Sequence, residues 1–324
     1  MGMRNNEHSF EGVLVVDKET GPTSHDVIAR LRRLLSMRRI GHCGTLDPLA
    51  TGVLVVCLGK YTRLNEWLTE GEKEYLATFR LGGTSDTGDA QGEITSSGVD
   101  ASLPLRGEIE KEIKTFEGAI EQVPPAFSAV KVDGVRSYVR ARRREVVSLP
   151  PRRVYIDQIQ LLHCEYPLLH LHIVCSKGTY IRSLAVDLGI RLGCGAYVQQ
   201  LRRTRVGNLH VEDALTLDDV EKAVKNGDFS RHLVPIPRAL GQLPKVALSV
   251  DQIRDFTHGI RVTINADPEG ETGDACAVYG VENEFVGMGK WEEKEGGMWL
   301  KPHKVFHSVP CIPAGATMVD GVEN

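Results

Sequence analysis

The sequence lacks the features that mark membrane, secreted and zinc-ribbon proteins. No apolar run in its 324 residues approaches the ~18 residues needed to cross a membrane, and residues 1–10 are polar, without a signal-peptide core. The seven cysteines are odd in number and never occur as Cys-x-x-Cys, which argues against a disulfide framework or a zinc ribbon. With 41% hydrophobic and 25% charged residues, we expect a soluble, cytoplasmic protein.

The length predicts about two domains, and a change in composition near residue 240 predicts their boundary. Residues 1–240 contain 32 Lys and Arg against 30 Asp and Glu, a net charge of +2, whereas residues 241–324 contain 7 against 13, a net charge of −6. Prolines and a glycine cluster at the transition, and short β-like runs follow it, as in a small β-barrel. We therefore predict domains at 1–240 and 241–324.

Positive charge is concentrated although the whole chain has a net charge of −4. One arginine cluster is more often a solvated surface than a binding site. Three clusters with few neighbouring acids favour a polyanionic partner, because guanidinium groups pair phosphates in a bidentate manner. The clusters comprise Arg30, Arg32, Arg33, Arg38 and Arg39; Arg140, Arg142, Arg143, Arg144, Arg152 and Arg153; and Arg202, Arg203 and Arg205.

Hydrophobic periodicity predicts a mixture of strands and helices before residue 240. One helix is expected to begin at Ser24 as its N-cap, and another at Thr216. Predicted strands cover residues 12–18, 53–58, 74–81, 154–159 and 168–175. Further helices are predicted at 108–116 and 181–192.

Residues 41–52, Gly-His-Cys-Gly-Thr-Leu-Asp-Pro-Leu-Ala-Thr-Gly, form the most unusual segment. Three glycines and a proline between a basic helix and an apolar strand predict a shaped loop, with Asp47 held in an extended backbone before the proline. Asp-Pro also begins ordinary turns, so the loop alone leaves a structural and a functional interpretation open. Residues 176–183 can present Lys177, Tyr180 and Arg182, and the cations of Lys177 and Arg182 would keep a nearby carboxylate ionised.

Two other segments have the composition of cation sites but not the spacing. Residues 85–92 are acidic, yet the segment is too short for an EF-hand and lacks its final glutamate. His170 and His172 alternate on one predicted strand, where surface decoration is a better interpretation than metal binding. We therefore expect no metal.

Seven ordered segments resemble the TruB family of tRNA pseudouridine synthases over about residues 10–206. They are residues 12–18 (GVLVVDK), 41–52 (GHCGTLDPLATG), 73–75 (KEY), 85–92 (SDTGDAQG), 128–131 (SAVK), 176–182 (SKGTYIR) and 193–203 (GCGAYVQQLRR). The resemblance implies an α+β fold with a central mixed, largely antiparallel sheet flanked by helices, an RNA-binding insertion at about 120–153, and a C-terminal PUA-type β-barrel. It also implies isomerisation of the T-loop uridine of tRNA, position 55, without metal or organic cofactor.

The resemblance assigns roles to individual residues. Asp47 matches the catalytic aspartate, and Arg182 the arginine paired with it. His42 matches the histidine that helps hold the base out, and Tyr75 the tyrosine that stacks on the target uracil and is a candidate base. Asp89, Lys177, Tyr180 and Leu201 match other pocket positions. Arg142, Arg143, Arg144, Arg202 and Arg203 are expected to contact the RNA backbone.

The sequence departs from the family pattern in places. Arg143-Arg144-Glu145 replaces the usual continuation after Ala141-Arg142, and Thr45 replaces a common alanine, a feature of dyskerin-type, guide-RNA-dependent relatives. Residues 49–52 and 116–131 favour the stand-alone bacterial type, with tRNA as partner, no obligatory protein partner and a monomeric state. The alternatives are the catalytic subunit of a guide-RNA particle and a tRNA-binding folding factor.

Overall fold

The computed structural model describes residues 10–96, 104–128, 130–132, 134–143, 145, 149–264, 270–294 and 297–306. The chain divides into two compact units, Met1–Gln242 and Leu243–Asn324. Within the described ranges, no helix has the length and apolar character required to span a membrane.

The helices of the described ranges are α1 (Ser24–Leu34), α2 (Asn65–Leu68), α3 (Arg106–Lys114), α4 (Ser137–Arg142), α5 (Ile181–Arg191), α6 (Leu217–Asn226), α7 (Ile236–Ala239) and α8 (Val250–Thr257). Short 3₁₀ helices cover Gly59–Leu64, Val211–Asp213 and Phe229–His232. The strands of the first unit are β1 (Gly12–Lys18), β2 (Ile40–Cys43), β3 (Thr51–Leu58), β4 (Lys73–Leu81), β5 (Gly83–Ser85), β6 (Ile94–Ser96), β7 (Gly118–Gln122), β8 (Lys131–Val132), β9 (Val135–Arg136), β10 (Arg152–Glu165), β11 (Leu168–Cys175), β12 (Ala196–Val206) and β13 (Leu209–His210). Those of the second unit are β14 (Lys245–Ala247), β15 (Val262–Thr263), β16 (Ala275–Tyr279), β17 (Phe285–Lys294) and β18 (Gly297–Val305).

A mixed, largely antiparallel sheet forms the centre of the first unit, which confirms the predicted fold class. Its strand order is β1-β3-β12-β4-β11-β10-β7, with β2 added beside β3 and β13 beside β12. In the described sheet the pairing of β3 with β12 is parallel and the other pairings are antiparallel. Alternation along β4 buries Tyr75, Ala77 and Phe79 in the core and leaves Leu76 on the other face.

Helices α1 and α5 pack on the core through apolar faces, Val27, Ile28 and Leu31 on the first and Leu184 and Leu188 on the second. The sheet and these helices therefore enclose one hydrophobic core.

The N-cap of α1 is Thr23, so the prediction of Ser24 is wrong by one residue. The Thr23 hydroxyl accepts from the Asp26 backbone N–H (3.1 Å), and the Asp26 carboxylate accepts from the Thr23 N–H (2.8 Å), forming a capping box. Ser24 is buried and bonds elsewhere. The second predicted cap, Thr216, is confirmed at the start of α6.

An insertion leaves the edge of the sheet at Gln122, the last residue of β7, and returns at Arg152, the first residue of β10. These two residues are cross-strand partners, so the roots of the insertion lie side by side. Within it, β8 and β9 form a short hairpin and α4 follows.

The second unit is a five-stranded, curled sheet with the order β14-β16-β17-β18-β15. Its core contains Phe256 of α8 and Val278, Trp291 and Leu300 of the strands. The predicted PUA-type architecture is thus confirmed.

Candidate active site

The loop that carries Asp47 joins β2 to β3 and is fixed by side chains from the amino-terminal segment. The Ser24 hydroxyl accepts from the Leu46 N–H (2.9 Å) and donates to the Leu46 carbonyl oxygen (3.0 Å). The Lys18 ammonium donates to the carbonyl oxygens of Ala50 (2.7 Å) and Pro48 (3.3 Å). Backbone atoms on both sides of Asp47 are therefore held by buried polar groups.

Arg203 bonds the same loop from the core side. Its side chain is fully buried, and its guanidinium donates to the carbonyl oxygens of Val53 (2.8 Å), Gly44 (3.2 Å) and Thr45 (3.4 Å). The core surrounds its guanidinium and backbone carbonyls accept its hydrogen bonds, which argues against the predicted contact of Arg203 with the RNA backbone.

Gly52 allows β3 to approach β12 at this point. It has a φ of +96°, and a Cβ atom there would lie 2.1 Å from the Arg203 carbonyl oxygen. Because no side chain fits that space, glycine is required where the loop enters the sheet.

Asp47 and Arg182 form the central ion pair of the site, with Arg182 Nε 2.8 Å from Asp47 Oδ2. The Arg182 side chain is 6% exposed and that of Asp47 is 36% exposed. Arg182 also donates to the carbonyl oxygens of Thr87 (2.8 Å) and Phe127 (2.9 Å). A buried cation with a fixed orientation thus faces a carboxylate that solvent and substrate can reach.

Asp89 is a second carboxylate near Arg182, with Oδ2 3.7 Å from Nε. It is buried, and its Oδ1 accepts from the Thr87 hydroxyl (2.8 Å) and the Gln91 N–H (3.0 Å). The acidic segment 85–92 is therefore a turn that shapes the surroundings of Arg182.

Tyr75 and Leu201 are buried on the core face of the sheet, on β4 and β12, where Tyr75 is the cross-strand partner of Arg203 and Leu201 that of Ala77. Burial raises the pKa of Tyr75 to about 12, although the nearby Arg203 opposes the rise. The phenol is therefore neutral at pH 7. A protonated phenol argues against the candidate role of Tyr75 as a base.

His42 lies on β2 immediately before the loop. Its ring meets the ring of His25 edge-to-face, with centroids 5.2 Å apart. Burial, followed by the charges of His25 and Arg203, lowers the pKa of His42 to about 4. Its Nδ1 atom is buried and has no hydrogen-bond partner among the residues that the structure describes. His42 is therefore neutral at pH 7.

Tyr180 and Lys177 lie in the segment before α5. Tyr180 is the N-cap residue, and its backbone N–H and carbonyl both bond to the side chain of Gln122. The Lys177 ammonium pairs with Glu70, and both side chains are about half exposed. Tyr180 thus lies two residues before Arg182 in the chain, and Lys177 forms its ion pair with Glu70 rather than with Asp47.

The remaining arginines differ in their exposure. Arg202 is 39% exposed and forms a bidentate pair with Asp17, at 3.0 and 2.7 Å. Arg143 is exposed. Arg144 and the side chain of Arg142 lie outside the described residues.

Sequence reasoning missed the residues that position the catalytic loop and Arg182. Lys18 and Ser24 bond the loop, while Thr87, Gln122 and Phe127 bond Arg182 or its neighbour Tyr180. A lysine that ends an apolar strand was a usable signal for Lys18. Backbone carbonyl acceptors such as those of Thr87 and Phe127 leave no trace in the sequence.

The histidines of β11 have polar partners across the sheet. His170 Nδ1 lies 3.2 Å from the Thr78 hydroxyl, and His172 Nε2 lies 3.1 Å from Glu74 Oε1. Across the described ranges, no group of three or more His, Cys, Asp or Glu side chains is arranged to hold a metal ion.

Three family models match residues 32–241 and 244–305 of the chain. Residues 32–181 match the TruB family pseudouridylate synthase N-terminal domain, residues 182–241 the tRNA pseudouridylate synthase B C-terminal domain, and residues 244–305 the pseudouridine synthase II TruB C-terminal domain. The chain belongs to the TruB family. It is therefore a pseudouridine synthase, an isomerase.

Individual TruB relatives are similar along most of their length. A tRNA pseudouridine synthase B of Dehalococcoides mccartyi strain BAV1 is 42% identical over 92% of this chain and 97% of the relative. One from Leifsonia xyli is 43% identical over 88% and 94%. Among solved structures, a Cbf5-Nop10-Gar1 complex contains a chain with a TM-score of 0.73 and 30% identity, covering 93% of this chain and 86% of that one.

Proposed function

We propose that this synthase acts on tRNA, where it isomerises the T-loop uridine at position 55 with Asp47 as nucleophile. The observation that carries the proposal is the pair of an accessible Asp47 carboxylate and a buried Arg182, 2.8 Å apart, on a rigidly held loop. The relatives named tRNA pseudouridine synthase B support tRNA as the substrate.

In the proposed reaction the Asp47 carboxylate attacks either C1′ of the ribose or C6 of the base. The N-glycosidic bond breaks, the uracil rotates, and a carbon–carbon bond forms between C1′ and C5. If Asp47 was bound to C1′, it is displaced as this bond forms; if it was bound to C6, it leaves when C5 loses its proton. On both routes C5 loses a proton and N1 gains one, so that atoms balance without redox change. No metal or organic cofactor takes part in this scheme.

Arg182 supports each stage, because its hydrogen bonds to Thr87 and Phe127 hold the guanidinium in place while the charge on Asp47 changes. Preorganised charge of this kind needs no reorientation during the reaction.

The target base is stacked inside a folded loop and must be flipped out, which costs a few kcal/mol. Stacking on the neutral Tyr75 ring returns about 1–3 kcal/mol. The neutral His42 offers a flat, uncharged surface beside the loop, which suits a residue that holds the base out. Phosphate contacts of exposed arginines, including Arg143 and Arg202, supply further binding energy.

The substrate is proposed to dock through its T-arm on the catalytic face of the first unit, with the insertion at 120–153 as a further RNA contact. The net charge of −6 over residues 241–324 does not favour strong phosphate binding there. We further propose a monomer in the cytoplasm with no obligatory protein partner. The alternative of a guide-RNA particle subunit draws on the Cbf5 complexes, but the similar relatives named for tRNA favour the stand-alone enzyme.

The test is incubation of the protein with an unmodified tRNA transcript, followed by mapping of pseudouridine at single-nucleotide resolution. We expect one modified position in the T-loop. Asp47→Asn should abolish isomerisation while tRNA affinity stays within several-fold of wild type, because most affinity comes from phosphate contacts and stacking. Asp213→Asn, which breaks an ion pair with Arg238 away from Asp47, is the matched control. Substantial turnover by Asp47→Asn would overturn the assignment.

A further inference from the structure

Gln122 connects the insertion to the catalytic ion pair. It is 2% exposed, and its side-chain amide makes two hydrogen bonds to the backbone of a single residue. The Tyr180 N–H donates to Gln122 Oε1 (2.7 Å), and Gln122 Nε2 donates to the Tyr180 carbonyl oxygen (3.0 Å). An amide used in this way fixes both the position and the orientation of the peptide at residue 180.

Two further bonds run between the same two segments. The Ser183 hydroxyl donates to the Val123 carbonyl oxygen (2.8 Å), and the Arg182 guanidinium donates to the Phe127 carbonyl oxygen (2.9 Å). Residues 122–127, at the first root of the insertion, are thus bonded to three residues around the start of α5. These are Tyr180, Arg182 and Ser183.

The second root is tied in as well, because Arg152 is the cross-strand partner of Gln122. A displacement of either root therefore reaches Gln122, and through it the segment that sets the orientation of Arg182. The side chain of Arg182 is already committed to Asp47, Thr87 and Phe127, so a small shift of its backbone would lengthen its contact with Asp47.

We propose that Gln122 is a positioning residue, which fastens the root of the insertion to the segment 180–183 and thereby sets Arg182 against Asp47. A shift of the insertion when RNA docks on it would then also change the position of Arg182 relative to Asp47. This inference deepens the proposed function and rests on it for the nature of the RNA.

The experiment measures single-turnover kinetics on an unmodified T-arm transcript. The enzyme is in excess over the transcript and at a concentration that saturates binding. In such an assay a misfolded fraction leaves the rate constant unchanged as long as active enzyme remains in excess and saturating, whereas a misaligned site lowers it. Gln122→Met keeps the side-chain length and removes both hydrogen bonds. Gln122→Glu keeps the acceptor for the Tyr180 N–H and loses the donor. Thr78→Val, which removes a part-buried hydrogen bond to His170 on the opposite face of the sheet, is the control.

We expect the rate constant of Gln122→Met to fall by about 10- to 100-fold, as for other displacements of a positioned group, with RNA affinity within about threefold of wild type. The rate constant of Gln122→Glu should lie between those of Gln122→Met and wild type, and the rate constant of Thr78→Val should equal that of wild type. A Gln122→Met rate constant within twofold of wild type would overturn the proposal, as would an equal fall in Thr78→Val.

Amide hydrogen exchange of the RNA-free enzyme provides a second readout that needs no substrate. Exchange across residues 177–183 should quicken in Gln122→Met and stay unchanged in Thr78→Val, because the Tyr180 N–H loses its acceptor. Unchanged exchange in Gln122→Met would refute the positioning role. A wild-type protein that is inactive on the T-arm would refute the proposed substrate instead, so the two failures are distinguishable.

Discussion

Replacing Arg203 with Met tests whether this arginine supports the catalytic loop or binds phosphate. Met retains much of the buried aliphatic stem but removes the donors to Val53, Gly44 and Thr45. Three backbone carbonyls around the loop then lose a charged partner. Since Arg203 is 2% exposed, water cannot replace it without opening the core.

The three contacts set the expected loss of stability. The 2.8 Å bond to Val53 is worth about 2 kcal/mol as a charge-assisted bond, and the two longer bonds about 0.5 kcal/mol each. The total of about 3 kcal/mol corresponds to a fall in Tm of about 6–12 °C for a unit of this size. The single-turnover rate should also fall, because the loop that holds Asp47 loses one of its anchors.

The assay combines thermal unfolding with RNA binding at several salt concentrations. The matched control is Arg202→Met, one residue along the same strand. Arg202 is part-exposed and paired with Asp17, so its loss should cost less than about 1 kcal/mol. If Arg202 contacts a phosphate, the slope of log affinity against log salt should decrease by about 0.7 to 0.9, whereas Arg203→Met should leave the slope unchanged.

The supporting role of Arg203 is refuted if the Tm of Arg203→Met lies within about 2 °C of the wild-type Tm, or if this variant reduces the slope of log affinity against log salt as Arg202→Met does. Either result would mean that the guanidinium reaches the surface in solution and that the loop is held by Lys18 and Ser24 without it.

Three other expectations follow from the structure. Burial lowers the pKa of Lys18 from 10.5 to about 8, so between these pH values the unfolded chain binds more protons than the folded chain. The free energy of unfolding of the wild type should therefore rise with pH, by about 2 kcal/mol relative to Lys18→Met. A difference in unfolding free energy between the two proteins that does not change with pH contradicts this. Chelation followed by dialysis should leave isomerisation of a prefolded T-arm unchanged, and a loss restored by one transition metal would show that a site was missed. Replacing Arg142, Arg143 and Arg144 with Ala should reduce the slope of log affinity against log salt by up to about 2 to 3. Replacing Glu292, Glu293 and Glu295 with Gln should leave this slope nearly unaltered. An unchanged slope in the arginine variant would mean that the cluster is a solvated surface.

The helices and strands were predictable where their burial produces a regular spacing of apolar residues in the sequence. β11 has the predicted bounds because strands pair with it on both sides, apolar and polar residues alternate over residues 169–173, and a buried apolar run completes it at Cys175. β10 runs well beyond the predicted residues 154–159, since its outer positions carry polar side chains and pairing with β7 and β11 extends it at both ends.

The site was predictable only in part. Family resemblance pointed to Asp47 and Arg182, but not to the side chains that hold them. Arg202 and Arg203 are equivalent in a charge count, yet neighbouring residues of a strand point to opposite faces, so one lies at the surface and the other is buried beneath the loop. Thr23 and Ser24 present the same ambiguity at the start of α1, where the Ser24 hydroxyl is taken up by hydrogen bonds to the Leu46 backbone and the Thr23 hydroxyl is the cap.

The parallel pairing of β3 with β12 joins residues 51 and 52 to residues 202 and 203, and β1 is bridged to Leu215 and Val234. During synthesis the Asp47 loop emerges from the ribosome long before Arg203, the residue that supports it, and the strand that must lie beside Gly52. The loop can reach its working shape only after nearly the whole first unit has been translated. A chain released before β12 would therefore carry Asp47 without Arg203 and without the strand that lies beside Gly52.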